Sequence, residues 1–249
     1  MYLISYLNLN SFIYAPPLPV IIFDWDDTLM SSSWIDRAKL LQRDSFAELP
    51  TPLQQQFATL EEHVGRCLSI AATLGSVVII TNAEDGWVEY SSKRFFPRLV
   101  PILQGLRIIS ARSQYEKFYP GAPLCWKAAA FAHEANQLFG GSDPQPSDGV
   151  AREIVSFGDS NEERTGVKIA AGQLGATAKS IKFVDLPTPD QLCKQVETVT
   201  GWLSWVVGQG SELDLMLKAT SKDEPLPNLL EMCHSCTPPN SLKLAGGGS

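Results

Sequence analysis

Short runs of apolar residues alternate along the chain with longer segments in which apolar residues recur at helical spacing. The first run, Val20–Phe23, is apolar at all four positions. Similar runs predict further strands at residues 76–82, 106–110, 153–159 and 180–185. A strand that is apolar throughout is typical of a parallel sheet whose two faces are both covered.

Helical periodicity predicts helices at residues 53–74, 87–103, 124–139, 162–174 and 188–207, with a short additional helix at 211–219. Residues 115–123 are predicted to be a loop, and the Gly- and Pro-rich residues 140–149 a flexible connector. Strands and helices therefore alternate five times. This pattern predicts a Rossmann-like, three-layer α/β/α fold with a mostly parallel five-stranded sheet.

The 249 residues are enough for one large domain, which we place at residues 18–219. Residues 1–17 form an apolar and aromatic N-terminal extension without the basic start of a secretory signal. Residues 220–249 are rich in Pro, Ser, Asn and Gly, which predicts a disordered tail whose Gly-Gly-Gly-Ser end resembles a linker.

Composition narrows the class of protein further. Hydrophobic residues make up 44% of the chain and charged residues 19%, which is typical of a globular protein with a sizeable core. The net charge of -7 argues against nucleic acid or an anionic membrane as the main partner. No apolar run reaches the ~18 residues of a membrane span.

The five cysteines are scattered and odd in number, which favours reduced thiols in a cytoplasmic protein. Cys233 and Cys236 form a C-x-x-C sequence in the tail, with no second pair. Both a redox or zinc role and a simple mobile tail are compatible with that pair.

Three acids, Asp24, Asp26 and Asp27, follow the first strand directly. The carboxyl ends of strands are where open α/β sheets bind ligands. Asp24 and Asp26 are two residues apart, so along an extended strand their side chains point the same way. Neighbouring carboxylates repel unless a cation or a shared proton offsets them, and Mg²⁺ is the simplest such cation. The alternative is a surface turn with solvated acids.

More polar residues follow the later elements. A hydroxyl at Thr81, after the second strand, can hold phosphate oxygens, although turn formation explains it equally. Lys127 near a helix amino end opposes the macrodipole, which indicates either a bound anion or a solvated lysine. Gly158 permits a tight exit from the fourth strand, and Asp159 and Glu163 form a second acidic cluster.

In this order and on these elements, the residues resemble the four motifs of the haloacid dehalogenase-like hydrolases. The motifs are Asp24-x-Asp26-x-Thr28-Leu29, Thr81, Lys127 and Gly158-Asp159-x-x-x-Glu163, and they span residues 20–163. The fifth strand and last helix extend the resemblance to about residue 207. Residues 80–88 and 109–113 look like a eukaryotic group of that superfamily. Glu163 stands where Asp is frequent, so it is expected to hold either the metal or the metal's water.

The resemblance implies that Asp24 attacks phosphorus to give an aspartyl-phosphate and that Asp26 is the general acid and base. It implies that Thr81, Asn82 and Lys127 bind the phosphoryl group. It further implies Mg²⁺ held by the Asp24 carboxylate, the Asp26 backbone carbonyl and Asp159. The supporting residues are then Thr28, Gly158, Ser160 and Glu163.

The acid at position 26 favours phosphatase or phosphomutase chemistry over dehalogenation. Residues 30–50 and 83–126 leave no room for a folded cap domain, so a minimal cap and an open site are expected. An open site admits a phosphomonoester on a protein or another bulky carrier. A small-metabolite phosphatase, a phosphomutase and a non-catalytic phosphate-binding scaffold are the alternatives. Trp25 and Trp34 near the entrance either stack on substrate or pack in the core.

Overall fold

One six-stranded sheet organises the residues that this computed structural model describes, which are 18–42, 46–140 and 151–218. The strands are β1 Val20–Phe23, β2 Ser76–Thr81, β3 Arg107–Ser110, β4 Glu153–Gly158, β5 Thr177–Lys182 and β6 Leu213–Met216. The helices are α1 Ser32–Arg37, α2 Thr51–Leu74, α3 Trp87–Phe95, α4 Val100–Leu103, α5 Ala111–Tyr115, α6 Pro123–Leu138, α7 Asn161–Leu174 and α8 Pro189–Gly208.

The strand order is β3-β2-β1-β4-β5-β6, and every neighbouring pair is parallel. From β1 at the centre the chain runs outward through β2 to β3. It then returns to β4, on the other side of β1, and runs outward to β6. The direction of winding thus reverses between β1 and β4, and such a reversal leaves a crevice at the carboxyl ends of the two strands.

Helices cover both faces of the sheet, as the sequence predicts. Ile21 and Phe23 pack in one core with side chains of α2 and α8, whereas Val20 and Ile22 pack in a second core with α6 and α7. Strand side chains alternate between faces, so the uniformly apolar β1 serves both cores. The three-layer α/β arrangement is confirmed, with six strands rather than five.

The fifth strand begins three residues before its predicted position. β5 contains Lys179, a residue that sequence patterns place outside a buried strand, yet its side chain is fully buried. Its Nζ lies 2.8 Å from Glu153 Oε2 and donates to the Val207 carbonyl oxygen at 2.9 Å. Because these partners satisfy the buried ammonium, a lysine occupies a position that the hydrophobic pattern excludes.

The short helix predicted at 211–219 is wrong, because β6 occupies this segment. Leu213 and Leu215 are buried while Asp214 between them is exposed, which is the period of two that marks a strand. Asp214 accepts hydrogen bonds from Arg164 and Lys168 of α7. The alternation of buried and exposed residues covers only four positions, which is too short to identify a strand from the sequence.

The predicted helix at 87–103 is divided into α3 and α4, with Pro97 in the gap between them. Proline interrupts a helix because it lacks the N–H and crowds the preceding turn. The Glu61 carboxylate on α2 accepts hydrogen bonds from the backbone N–H groups of Arg98 and Leu99, which follow the proline. Part of the region after β3 is also helical, since α5 precedes the predicted loop.

Trp25 and Trp34 both pack against core residues. The Trp25 side chain is fully buried, its Nε1 donates to Ser91 Oγ at 3.0 Å, and its ring meets Phe96 edge-on. Trp34 packs against Phe57 of α2, with ring centroids 6.1 Å apart. These contacts favour packing over substrate stacking for the two rings.

Several predictions fall on residues outside the described ranges. These are the N-terminal extension, the tail with Cys233 and Cys236, and all of the connector except Gly140. Within the described ranges, none of the helices combines the length and apolar character needed to cross a bilayer.

Candidate active site

Asp24 lies at the point where the sheet reverses its winding, between β1 and β4. Its backbone N–H donates to the Phe157 carbonyl oxygen at 2.9 Å, which continues the β1–β4 ladder by one residue. Just below it, the rings of Phe23 and Phe157 stack with centroids 4.7 Å apart. The Asp24 carboxylate is therefore held on a rigid strand end, almost completely buried.

Lys127, in the second turn of α6, reaches this carboxylate from the neighbouring layer. Its Nζ lies 2.6 Å from Asp24 Oδ1 and 2.9 Å from Glu163 Oε1, and it donates to the Ile80 carbonyl oxygen at 2.6 Å. These three partners account for all three ammonium protons. The conflict with the helix macrodipole is thus relieved by carboxylates of the protein itself.

The ammonium of Lys127 stays charged although its side chain is fully buried. Burial alone would lower its pKa, but Asp24 and Glu163 raise that pKa above the ordinary value. Gly166 of α7 lies against this part of α6, where an added Cβ would be 3.4 Å from the Ala128 nitrogen, in van der Waals contact.

Glu163 is fixed by the amino end of α7 as well as by Lys127. Ser160 caps this helix, and Glu163 Oε2 accepts from the Ser160 backbone N–H at 3.1 Å and from its hydroxyl. Burial would raise the pKa of Glu163, but Lys127 and Ser160 hold it below the ordinary value. Both carboxylate oxygens therefore have protein donors.

Position 158 requires a glycine because the Glu163 side chain lies against it. A Cβ at Gly158 would lie 2.4 Å from Cγ of Glu163, closer than any real contact. The sequence suggested a tight exit from β4, whereas the structure shows a close approach between the strand end and a buried carboxylate.

Asp159 completes a cluster of three acids. Oxygen atoms of Asp24, Asp159 and Glu163 lie within 4.8 Å of one another. Among the described residues, no lysine, arginine or histidine forms an ion pair with Asp159. Burial, with the charges of Glu163 and Asp27, raises the pKa of Asp159 to about 7. Burial also raises the pKa of Asp24 well above its ordinary value, although Lys127 opposes this.

This cluster fits a hard divalent cation such as Mg²⁺. Magnesium binds oxygens at about 2.1 Å, and the acid oxygens, all within 4.8 Å of one another, are close enough to surround one ion. Asp24 and Asp159 would bind the ion directly and offset its charge. The oxygens of Glu163 already accept from Lys127 and Ser160, so it would reach the ion through a water.

Asp26 faces β2 and α3, and both of its oxygens accept hydrogen bonds. Thr81 Oγ1 donates to Asp26 Oδ2 at 2.9 Å, and Trp87 Nε1 donates to Asp26 Oδ1 at 2.8 Å. Thr81 Oγ1 itself accepts from the Ala83 N–H at 2.9 Å. Asp26 is only partly buried, whereas the residues around it from Val20 to Ser31 are buried.

Trp87 was not among the predicted site residues. It is the first residue of α3 and follows Gly86, whose φ of 82° turns the chain into the helix. A tryptophan six residues after Thr81 was the available signal, but the hydrogen bond to Asp26 depends on the turn between them, which no periodicity reveals.

Asp27 closes the turn after β1. It has a left-handed φ of 53°, its backbone N–H donates to the Met30 carbonyl oxygen at 2.6 Å, and its Oδ1 accepts from the Ser33 N–H at 3.0 Å. Burial raises the pKa of Asp27, and the hydrogen bonds from Ser33 act in the opposite direction. Asp27 therefore has a structural role that keeps Asp26 in place.

Thr28 and Asn82 are the two predicted residues without contacts at the site. Thr28 Oγ1 and Asn82 Oδ1 are buried and have no hydrogen-bond partner in the described part of the chain. A buried acceptor without a partner is costly, so an outside donor near Asn82 would be favourable.

Two serines, the last residue of β3 and a residue of α5, anchor the loop that follows β2. Ser110 Oγ donates to the Ala83 carbonyl oxygen at 2.6 Å, and Ser113 Oγ accepts from the Asp85 N–H at 3.0 Å. Ser110 and Ser113 therefore hold the loop that leads from Thr81 to Trp87.

The fold therefore gathers predicted residues from distant parts of the chain: Asp24, Lys127, Asp159 and Glu163 in one cluster, and Asp26 with Thr81 beside it. No protein-family model, curated protein or solved structure shows a significant match to this chain. The chemistry of the site is consequently inferred from its geometry.

Proposed function

We propose that this protein is a Mg²⁺-dependent phosphohydrolase of the haloacid dehalogenase-like type, which cleaves phosphomonoesters through an aspartyl-phosphate. The observation that carries the proposal is the 2.6 Å contact between Lys127 Nζ and Asp24 Oδ1, beside the unpaired acid Asp159. A buried carboxylate on a rigid strand end, next to a fixed cation and a metal site, is suited to nucleophilic attack on phosphorus.

In the first step, an Asp24 carboxylate oxygen bonds to phosphorus while the bond from phosphorus to the ester oxygen breaks. Asp26 gives its proton to that leaving oxygen and becomes a carboxylate. In the second step, a water oxygen bonds to phosphorus, its proton passes to Asp26, and the bond from phosphorus to Asp24 breaks. Inorganic phosphate leaves, and both acids return to their starting states.

The other residues would stabilise charge during these steps. Mg²⁺ bound by Asp24 and Asp159 would neutralise oxygens of the phosphoryl group. Lys127, held in place by Glu163, would stabilise the same charge through its positive charge beside Asp24. The hydroxyl of Thr81 and the side chain of Asn82 lie at the end of β2, where they would contact the remaining oxygens.

The proposal includes a minimal cap and an open site. Between β1 and α2, the described residues form only α1 and two single turns of 3-10 helix, at Leu40–Gln42 and Phe46–Glu48. Between β2 and α6 they form β3, a strand of the sheet, and three helices of nine residues or fewer. Neither segment is long enough for a folded cap, which supports a phosphomonoester on a protein or another bulky carrier as substrate.

The test compares wild type with Asp24→Asn on p-nitrophenyl phosphate, a sugar phosphate and a phosphopeptide, each with Mg²⁺ and with EDTA. Asp36→Asn, an exposed acid on α1, is the matched control. We expect activity that needs Mg²⁺ and falls at least about 1,000-fold in Asp24→Asn only. A rate within about tenfold of wild type, ~1.4 kcal/mol of barrier, would refute the nucleophile.

The same measurements separate the alternatives. Sugar phosphates turned over far faster than phosphopeptides would contradict the bulky substrate. Transfer of the phosphoryl group to a second hydroxyl, with little free phosphate, would identify a phosphomutase. Binding of phosphate without any turnover would identify a scaffold.

A further inference from the structure

The general acid proposed above is held by two donors of different kinds. The Trp87 indole N–H occupies Asp26 Oδ1 at 2.8 Å, and the Thr81 hydroxyl occupies Oδ2 at 2.9 Å. Each oxygen of the carboxylate therefore accepts one hydrogen bond, and release of either donor frees a lone pair on that oxygen for a proton.

The Trp87 donor is the one that stays. An indole nitrogen only donates, so it has a single role in this site. Its backbone is held as well, because the Trp87 carbonyl oxygen accepts from Ser91 Oγ at 2.7 Å and its N–H donates to the Glu84 carbonyl oxygen at 3.2 Å. The ring also packs on Tyr90, with centroids 6.1 Å apart.

The Thr81 donor is the one that can leave. Its oxygen is fixed by the Ala83 N–H, but its single proton turns freely about the Cβ–Oγ bond. A phosphoryl oxygen entering at the end of β2 would offer that proton a charged acceptor. Thr81 could then donate to the substrate without any movement of its heavy atoms.

We propose that Trp87 is a positioning residue that holds Asp26 by Oδ1, so that Oδ2, vacated when Thr81 turns to the substrate, is the oxygen that delivers the proton. This inference rests on the proposed phosphohydrolase function. It predicts that formation of the aspartyl-phosphate, the first step, depends on Trp87 only where the leaving oxygen needs a proton.

The test compares Trp87→Phe with wild type on two substrates, p-nitrophenyl phosphate and a simple alkyl phosphate. Nitrophenolate leaves without protonation, whereas an alkoxide does not, and general acid catalysis contributes about 100- to 10,000-fold. We expect kcat/KM, which reports the steps up to formation of the aspartyl-phosphate, to fall at least about tenfold for the alkyl phosphate and less than about threefold for the aryl phosphate, since a misplaced acid loses part of its effect on the first step.

Trp202→Phe on α8, whose ring pairs with Trp205, is the control for loss of an indole and should leave the ratio of the two rates unchanged. In an Asp26→Asn background, Trp87→Phe should cause no further selective loss, because the two side chains act as one unit. Trp87→His, which keeps a ring N–H, should give a ratio between those of wild type and Trp87→Phe, and it serves if the Phe variant does not fold.

Equal losses of kcat/KM on both substrates, or no loss on either, would overturn the positioning role while leaving the phosphohydrolase intact. A selective loss that persists in the Asp26→Asn background would overturn it too. A wild-type protein that hydrolyses neither substrate would instead refute the proposed function, and this inference with it.

Discussion

Asp159 offers the sharpest test of the acidic cluster, because its ionisation opposes folding when no metal is present. Its pKa is raised from 3.8 to about 7, first by burial and then by the charges of Glu163 and Asp27. The folded protein therefore keeps a proton that the unfolded chain has already lost. The stability that this proton contributes is complete below pH ~3.8 and is lost as the pH rises through about 7.

The magnitude follows from the shift. About three pKa units correspond to an upper limit of about 4 kcal/mol, at 1.36 kcal/mol per unit. Relaxation and residual solvation of a partly buried group reduce this, so we expect about 2 kcal/mol. Asp159→Asn cannot ionise, so at pH 8 in EDTA it should be more stable than wild type by that amount. In a domain of this size the difference corresponds to a rise of roughly 4–8 °C in Tm.

The assay is urea unfolding of wild type, Asp159→Asn and the exposed control Glu197→Gln, in EDTA, from pH 4 to 8. We expect the free energy of unfolding of wild type and the control to fall across this range more steeply than that of Asp159→Asn. Parallel pH profiles, or an Asp159→Asn protein less stable than wild type at pH 8, would show that the carboxylate is not under electrostatic strain.

Addition of Mg²⁺ extends the same experiment. Metal binding displaces the proton from Asp159, so Mg²⁺ should bind more tightly at pH 8 than at pH 5. At 100 times its Kd the ion should raise the free energy of unfolding of wild type by about 2.7 kcal/mol, and that of Asp159→Asn by much less. Equal stabilisation of the two proteins by Mg²⁺ would place the ion elsewhere.

Two further substitutions test the packing around the cluster by urea unfolding. Gly158→Ala should destabilise the protein by about 1–3 kcal/mol, because its Cβ would lie 2.4 Å from the Glu163 side chain. Gly172→Ala is the control: it has open space around it in α7 and should stabilise the protein by up to about 1 kcal/mol. Equal effects of the two substitutions would contradict the close approach of Gly158 to Glu163. Lys127→Met should destabilise by about 3–5 kcal/mol at pH 8, because Asp24 and Glu163 lose their buried counter-charge. A loss below about 1 kcal/mol would mean that water replaces the ammonium.

The central strands were predictable because burial on both faces leaves a simple trace in the sequence. β1 and β2 are apolar along almost their whole length, and β4 ends in a glycine that an acid follows. β5 was misplaced because the ion pair of Lys179 with Glu153 hides a charged residue inside the sheet. The hydrophobic pattern carries no information about an ion-pair partner that lies 26 positions away in the chain.

The proximity of Asp24 to Asp159 and of Asp26 to Thr81 was predictable for a similar reason, since parallel strands bring their carboxyl ends to one edge. Which of these side chains contact one another was not predictable. Thr81 was expected to face phosphate, yet its hydroxyl bonds Asp26. Lys127 was expected to meet an external anion, yet its three donors are taken by the protein. Side-chain rotamers and short turns decide these pairings, and they leave no periodic signal.

The distribution of charge explains how a site with this many acids can fold. Asp24 and Glu163 are both buried, and both contact Lys127. The Lys127 ammonium thus meets two carboxylates that are costly to desolvate. Asp159, nearer to solvent, is left to hold a proton or a cation according to pH. Lys127 therefore stabilises the folded cluster, and Asp159 is the carboxylate whose charge the proposed Mg²⁺ would offset.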